Sequence, residues 1–189
     1  MESLFPLEPV WPEGFAYHPD FIPVQEEKEL LQVISTLSLH AMQFQGFEAK
    51  RKVASFGYDW SFEKRVLTKG KEIPEGFQAL VTKCAAYLSI TVQDIAELLV
   101  TEYPPGSVIN WHRDAPPFDV IAGISLLSDC TFKLRPYEKA KQGRGSVISL
   151  PVKRRSLYII RGAARTNWQH STAPVKTKRY SITLRTLKS

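Results

Sequence analysis

Two imidazoles and one carboxylate are the residues best placed to do chemistry. His112 and Asp114 form an H-x-D pair, and His170 follows later in the chain. Only four histidines occur, and two of them fall in this order. Two nitrogens and one oxygen fill one face of a non-haem Fe(II) ion and leave its other positions open. Residues two apart on a strand point to the same face, so His112 and Asp114 would address one ion. The same parity puts Arg179, Ser181, Thr183 and Arg185 on one face of a terminal strand. Two guanidinium forks on one face imply a small dicarboxylate held bidentately. Iron with a dicarboxylate implies an oxygenase that consumes 2-oxoglutarate. Taken singly, each feature has a plainer explanation. An H-x-D arises by chance, His170 could be a core or loop histidine, and two arginines six apart often decorate a solvated strand. Their joint occurrence favours the metal site.

The elements that would position these residues follow from periodicity. Gln25–Leu37 carries Leu30, Leu31, Ile34 and Leu37 on one helical face, with Glu26 and Glu27 suited to the positive N-terminal end. Pro74–Leu88 repeats the pattern with Phe77, Leu80, Val81, Cys84 and Leu88. Between them, Phe44–Leu67 fits two strands joined by a turn better than a helix. From Ala96 the character changes to strands: Glu97–Glu102, the turn Tyr103-Pro-Pro-Gly106, and Val108–Asp114 with the first two candidate ligands. Val120–Leu127, Thr131–Arg135, Ser146–Leu150, Ser156–Arg161 and Arg179–Leu187 complete the run. Met1–Pro23, rich in proline and aromatics, reads as an extended arm. Helices followed by many short strands predict an α+β chain whose core is a double-stranded β-helix, the jelly roll shared with cupins. No internal boundary is visible, so residues 1–189 read as one domain, with helices and an aromatic, basic segment over about 20–95 and the jelly-roll core over about 96–187.

Composition narrows the partners. Residues 133–189 contain fifteen Lys or Arg against one acid, Glu138, whereas the preceding part holds eighteen acids against ten bases. A net charge of +6 with its excess in one half points to an anionic partner, most commonly nucleic acid, although a basic surface can also serve solubility alone. Lys153, Arg154 and Arg155 together could face phosphate. No apolar run would span a bilayer, and Met1–Trp11 lacks the charged and apolar regions of a secretory signal. Cys84 and Cys130 are isolated thiols without metal-type spacing, consistent with a reduced cytoplasmic compartment. No zipper or exposed apolar repeat argues for anything but a monomer.

VTEYPPGSVINWHRD, NWQHS and RYSITLR, in that order, resemble the AlkB-like dioxygenases. Those enzymes use Fe(II), 2-oxoglutarate and O2 to dealkylate nucleic-acid bases. The similarity runs from Asp20 to Leu187, with the tight motifs filling about a quarter of that span. The resemblance implies that His112, Asp114 and His170 hold Fe(II). It implies that Arg179 pairs with the distal carboxylate of 2-oxoglutarate, helped by the Tyr103 hydroxyl, and that Arg185 lies by the metal-chelating end. Thr101 and Ser181 stand where the family often has asparagine, shorter side chains that keep hydrogen-bonding capacity. Ala115-Pro-Pro117 replaces the acid often found just past the H-x-D, so base selectivity does not carry over.

Phe56-Gly-Tyr58-Asp-Trp60 falls where this family carries its nucleotide-recognition lid. Its aromatics, near Lys50, Arg51, Lys52, Lys64 and Arg65, could stack on an extruded base of a single strand while holding phosphates. Alternatively, Phe56, Tyr58 and Trp60 alternate onto one strand face and pack on the core. Tyr58, Trp60, Lys52, Arg65 and Arg161 are the candidate substrate contacts. Trp111 and Trp168 read as packing that keeps water from the metal. The expected activity is oxidative dealkylation of N-alkylated bases, as in DNA repair. The alternatives are the same chemistry on RNA, protein or a small molecule, or a nucleic-acid-binding module without catalysis.

Overall fold

Alternating burial along strands organises most of this chain. The computed structural model describes residues 10–44 and 47–189. β1 (Phe15–His18) precedes α1 (Val24–Ser35), β2 (His40–Phe44), β3 (Phe47–Ser61) and β4 (Val66–Lys69). A single 3-10 turn leads into α2 (Gln78–Leu88). Then come β5 (Ile95–Tyr103), β6 (Ile109–His112), β7 (Phe118–Leu126), β8 (Cys130–Pro136), β9 (Ile148–Val152) and β10 (Leu157–Ile160). A short α3 (Gly162–Thr166), β11 (Trp168–Thr172) and β12 (Arg179–Leu187) complete the order.

These strands form two sheets. The larger runs β1-β10-β7-β12-β5-β3-β2, with β4 paired to β3, and the smaller runs β6-β11-β8-β9. One face of the larger sheet is covered by α1 and α2. Leu30, Ile34, Leu80, Val81 and Cys84 meet Leu98, Val100, Ile124, Leu126, Ile182 and Leu184 there. The opposite face looks onto the smaller sheet through a second cluster that includes Tyr103, Phe118, Ile121, Phe132, Leu134 and Tyr158. The jelly-roll expectation and both helices are met. α1 carries Glu26 and Glu27 in its first turn, and α2 ends where Ser89 turns left-handed at φ 57° and its N–H reaches Ala85 and Ala86.

Several elements were not read from the sequence. β2, α3 and β11, each five residues long, are absent from the periodicity reading. Of the expected N-terminal arm, residues 1–9 lie outside the described part, and Phe15–His18 is a strand added antiparallel to β10. The idea that Phe56, Tyr58 and Trp60 share one face fails at Gly57. Its φ is +82°, and a Cβ there would sit 2.2 Å from the Ala96 carbonyl oxygen. The twist breaks the strand's alternation. Phe56 therefore packs on the helix side, whereas Trp60 packs on the cluster between the sheets. At the same point β3 leaves β5 and pairs with β4 as a hairpin.

Candidate metal centre

β6 and β11 run antiparallel with His112 opposite His170, and their ring centroids are 4.2 Å apart. Both rings face the interior, where Phe132 stacks on His170 at 5.4 Å. Asp114 lies just past the end of β6 rather than on it, yet it joins them. One potential ligand atom from each of the three residues lies within 4.8 Å of the others. The Nδ1 of His112 is 2.8 Å from the Asn110 carbonyl, which fixes the proton there and leaves Nε2 as the donor. Burial, aided by His112, pushes the His170 pKa down to about 3, so its imidazole is neutral, as a ligand must be. Burial would raise the Asp114 carboxyl, but the Arg185 guanidinium, together with His170 and His112, outweighs it and holds the group below the usual range.

The Asp114 carboxylate is gripped on one side only. Arg185 donates to its Oδ1 through Nε at 3.0 Å and Nη2 at 2.7 Å. Its Oδ2 is buried, has no hydrogen-bond partner, and lies 3.4 Å from His170 Nε2. An unpartnered buried carboxylate oxygen facing two imidazoles fits a divalent cation, and this donor set with few ligands suits Fe(II). Arg185 is itself closed off behind by Glu97, its register partner on β5. Arg165, 6% exposed, holds the backbone beyond: its Nη2 donates to the carbonyls of Asp114, Ala115 and Phe118 at 3.1, 2.8 and 3.0 Å.

Further along β12, Arg179 is 2% exposed. Its guanidinium lies over the Tyr103 ring at 4.8 Å, and its Nε donates to Ser125 Oγ at 2.9 Å. Tyr103 and Ser181 hydroxyls are 3.4 Å apart, and Ser181 sits opposite both Thr101 and Ser125. Among the described residues no carboxylate pairs with Arg179. A buried cation without a protein counter-ion suits an anionic ligand such as a carboxylate. The two arginines therefore differ: Arg179 is open to an anion, whereas Arg185 is engaged by Glu97, Asp114 and the Phe118 ring.

The expected substrate residues scatter. Trp60 joins the inner cluster with its hairpin partner Leu67. Tyr58 pairs with Lys69 on the same hairpin, and Arg65 sits exposed in its turn at φ 52°. Lys52 opposes Glu102, whose parity with Val100 and Leu98 sets both on the helix side of the larger sheet, away from the triad. Arg161 is exposed at the start of α3, its N–H bonded to Gly14. Glu97, Ser125 and Arg165 went unread in the sequence. A lone acid or serine inside an apolar strand was a usable signal for the first two; Arg165, in a short helix, gave none.

Comparison with known proteins agrees with this geometry. Residues 14–185 match the 2OG-Fe(II) oxygenase superfamily. The chain is 27% identical over 176 residues to the tRNA (carboxymethyluridine(34)-5-O)-methyltransferase alkbh8 of Xenopus tropicalis, covering 90% of this chain and 27% of that one. It is 28% identical over 178 residues to the Alkylated DNA repair protein ALKBH8 homolog of Arabidopsis thaliana, covering 83% of this chain and 50% of that one. The chain thus spans between about a quarter and a half of these curated relatives. The solved structure of OsALKBH1 shares the fold with a TM-score of 0.73 at 14% identity, covering 96% of this chain and 100% of the other. Among the described residues no helix is long and apolar enough to cross a membrane. A binding module without catalysis gives way to an enzyme: residues 14–185 show that the chain belongs to the 2OG-Fe(II) oxygenase superfamily, whose chemistry uses Fe(II), 2-oxoglutarate and O2, and it is similar in sequence to the ALKBH8 proteins.

Proposed function

We propose that this chain removes N-linked alkyl groups from bases in nucleic acid by oxidising the attached carbon. One observation carries the reading: the unpartnered Asp114 Oδ2 faces two imidazoles in the same interior that holds the counter-ion-free Arg179. In this reading His112, Asp114 and His170 hold Fe(II), and Arg185 turns Asp114 so that Oδ2 is free for it. Arg179, with Tyr103, Thr101, Ser125 and Ser181 around it, holds the far carboxylate of 2-oxoglutarate. Arg185 lies toward the end of the site where the near carboxylate would bind. Residues 1–189 act as one unit, with the β3–β4 hairpin as a lid whose Tyr58, Trp60 and Arg65 meet the substrate strand. Names of relatives that act on tRNA or alkylated DNA, and the basic C-terminal half, support nucleic acid as the substrate class.

When bound, the iron supplies a two-electron oxidation of the alkyl carbon by O2, coupled to conversion of 2-oxoglutarate into succinate and CO2. The chain's own part is positional. Neutral His170 and ionised Asp114 need no proton change to act as ligands, and the Phe132 ring against His170 keeps water from that side. An N-hydroxymethyl product then breaks its C–N bond. The electron pair and the hydroxyl proton pass to nitrogen, and formaldehyde leaves.

The test is mass spectrometry of singly N-methylated single-stranded oligonucleotides, DNA and RNA of one sequence, incubated with protein, Fe(II), 2-oxoglutarate, ascorbate and air. Methyl loss with matching succinate is expected on at least one of them and should vanish in His112→Ala. Succinate without methyl loss from either strand would overturn the substrate reading and leave the oxygenase.

A further inference from the structure

The same alternation that turns the triad inward builds an unassigned surface behind it. On the smaller sheet, His112, His170, Phe132 and Leu134 face the interior, and Phe132 and Leu134 are 2% and 1% exposed. Their neighbours must face out: Trp111 on β6, Gln169 on β11, and Lys133 and Arg135 on β8. Arg113 and Tyr137 continue this face just past the ends of β6 and β8. The four strands, INWH, CTFKLRP, ISLPV and WQHST, contain no acid. Glu138 in the adjoining loop is taken up by Lys141 at 2.7 Å, and Asp129 at the far end by Lys153 at 3.0 Å.

The face is also pre-arranged. The Arg135 guanidinium lies over the Trp111 ring at 4.4 Å and is steadied by an Nε bond to Gln169 Oε1 at 2.9 Å. The Arg113 guanidinium lies over Tyr137 at 3.7 Å and donates Nη1 to the Thr166 carbonyl at 2.8 Å. Neither arginine pairs with a carboxylate among the described residues. Two ring-stacked guanidiniums with N–H edges to spare, and a lysine about 7 Å along the strand from one of them, form a ladder of cations interleaved with aromatic faces. Simple solubility calls for scattered charges of both signs, not fixed cations on an acid-free sheet.

We propose that this outer face of the smaller sheet binds the sugar-phosphate backbone of a nucleic-acid strand, flanking the nucleotide that enters the interior. The inference rests on the nucleic-acid reading above and deepens it. β6 is an edge strand of the sheet, so a strand that delivers one base to His112 can pass around that edge onto Trp111 and Arg113. Lys133 and Arg135 then meet successive phosphates, and the Trp111 and Tyr137 rings meet bases or sugars without regard to sequence.

The experiment is fluorescence anisotropy of an unmodified, labelled single strand of about 15 nucleotides, titrated with full-length protein from about 50 to 200 mM salt. Lys133→Gln with Arg135→Gln removes two charges while leaving an uncharged polar side chain at each position. Losing two phosphate contacts should lower the slope of log K against log salt by about 1.4, and weaken binding equally for strands of different sequence. A control pair, Lys28→Gln with Lys71→Gln, removes the same charge from exposed positions elsewhere and should keep the wild-type slope. An unchanged slope in the Lys133/Arg135 variant, an equal loss in the control, or wild-type protein with no affinity for the strand would each overturn the surface. A slope that falls as expected in a protein that dealkylates no base would keep the surface and remove the dealkylation reading instead.

Discussion

Replacing Arg165 with methionine removes a single nitrogen on which three carbonyl oxygens converge. Nη2 carries two N–H groups, so the contacts at 3.1, 2.8 and 3.0 Å amount to about two full charge-assisted bonds with one shared. At about 1.5–3 kcal/mol each, their loss costs roughly 3–6 kcal/mol. Against this, the Arg165 Nε is buried without a partner, and removing it recovers about 1–3 kcal/mol. The net expectation is a loss of about 2–3 kcal/mol, which in a chain of this size lowers Tm by roughly 4–12 °C. Because one of the three carbonyls belongs to Asp114, the carboxylate should also lose its fixed placement. Metal affinity should fall by about 10–100-fold, the range for partners behind metal ligands. Thermal unfolding by circular dichroism and Mn(II) titration by calorimetry read the two effects. A variant that melts within about 1 °C of wild type and binds Mn(II) equally well would refute the role given to this arginine.

Arg179→Met should raise the KM for 2-oxoglutarate by roughly 30–150-fold, the loss of about 2–3 kcal/mol of charge-assisted bonding. The ligand-free protein should melt no lower, because the variant no longer buries a cation; steady-state succinate formation and a thermal melt check both. Gly57→Ala should destabilise the fold by about 2 kcal/mol or more, since φ is +82° and the added carbon meets Ala96 backbone; chemical denaturation measures it. Burial lifts the Cys84 thiol to about 12, so at pH 8 both buried cysteines should resist a thiol reagent until the protein unfolds. A raised acid pKa favours the folded state below the unfolded value, so this contribution should fade as pH climbs from about 9 toward 12.

How much the sequence disclosed depended on how locally each feature was encoded. Arg179, Ser181 and Arg185 are spaced by strand parity, so their face could be read directly from residue numbers, whereas Asp114 joins His112 from just beyond the end of β6. Helices α1 and α2 were legible because they run 12 and 11 residues, long enough for periodicity to show. β11 was not, since WQHST follows its one aromatic with four polar residues and shows no apolar alternation. The expectation about Phe56, Tyr58 and Trp60 assumed unbroken alternation and met a glycine whose backbone only the assembled sheet requires. Lys52 was grouped with its basic neighbours, but cross-strand pairing with Glu102 turns it to the helix side. Register between distant strands is a tertiary property, and neither composition nor spacing carries it.

Two arginines on one strand face invited a single explanation, and the fold separates them. Six residues of extended chain set their Cα atoms about 20 Å apart, too far for two forks to close on one small molecule without long side chains converging. Arg185 meets two carboxylates, Asp114 and Glu97, and so completes a charge-balanced support for one candidate ligand. Arg179 meets hydroxyls and a ring but no carboxylate among the described residues. A protein interior tolerates an unpaired guanidinium only at a cost, and that cost is recovered when an anion arrives. The residue types are identical and the parity is the same. What distinguishes a support from a receptor is whether the opposing strand brings an acid, as β5 does with Glu97, or a tyrosine, as it does with Tyr103.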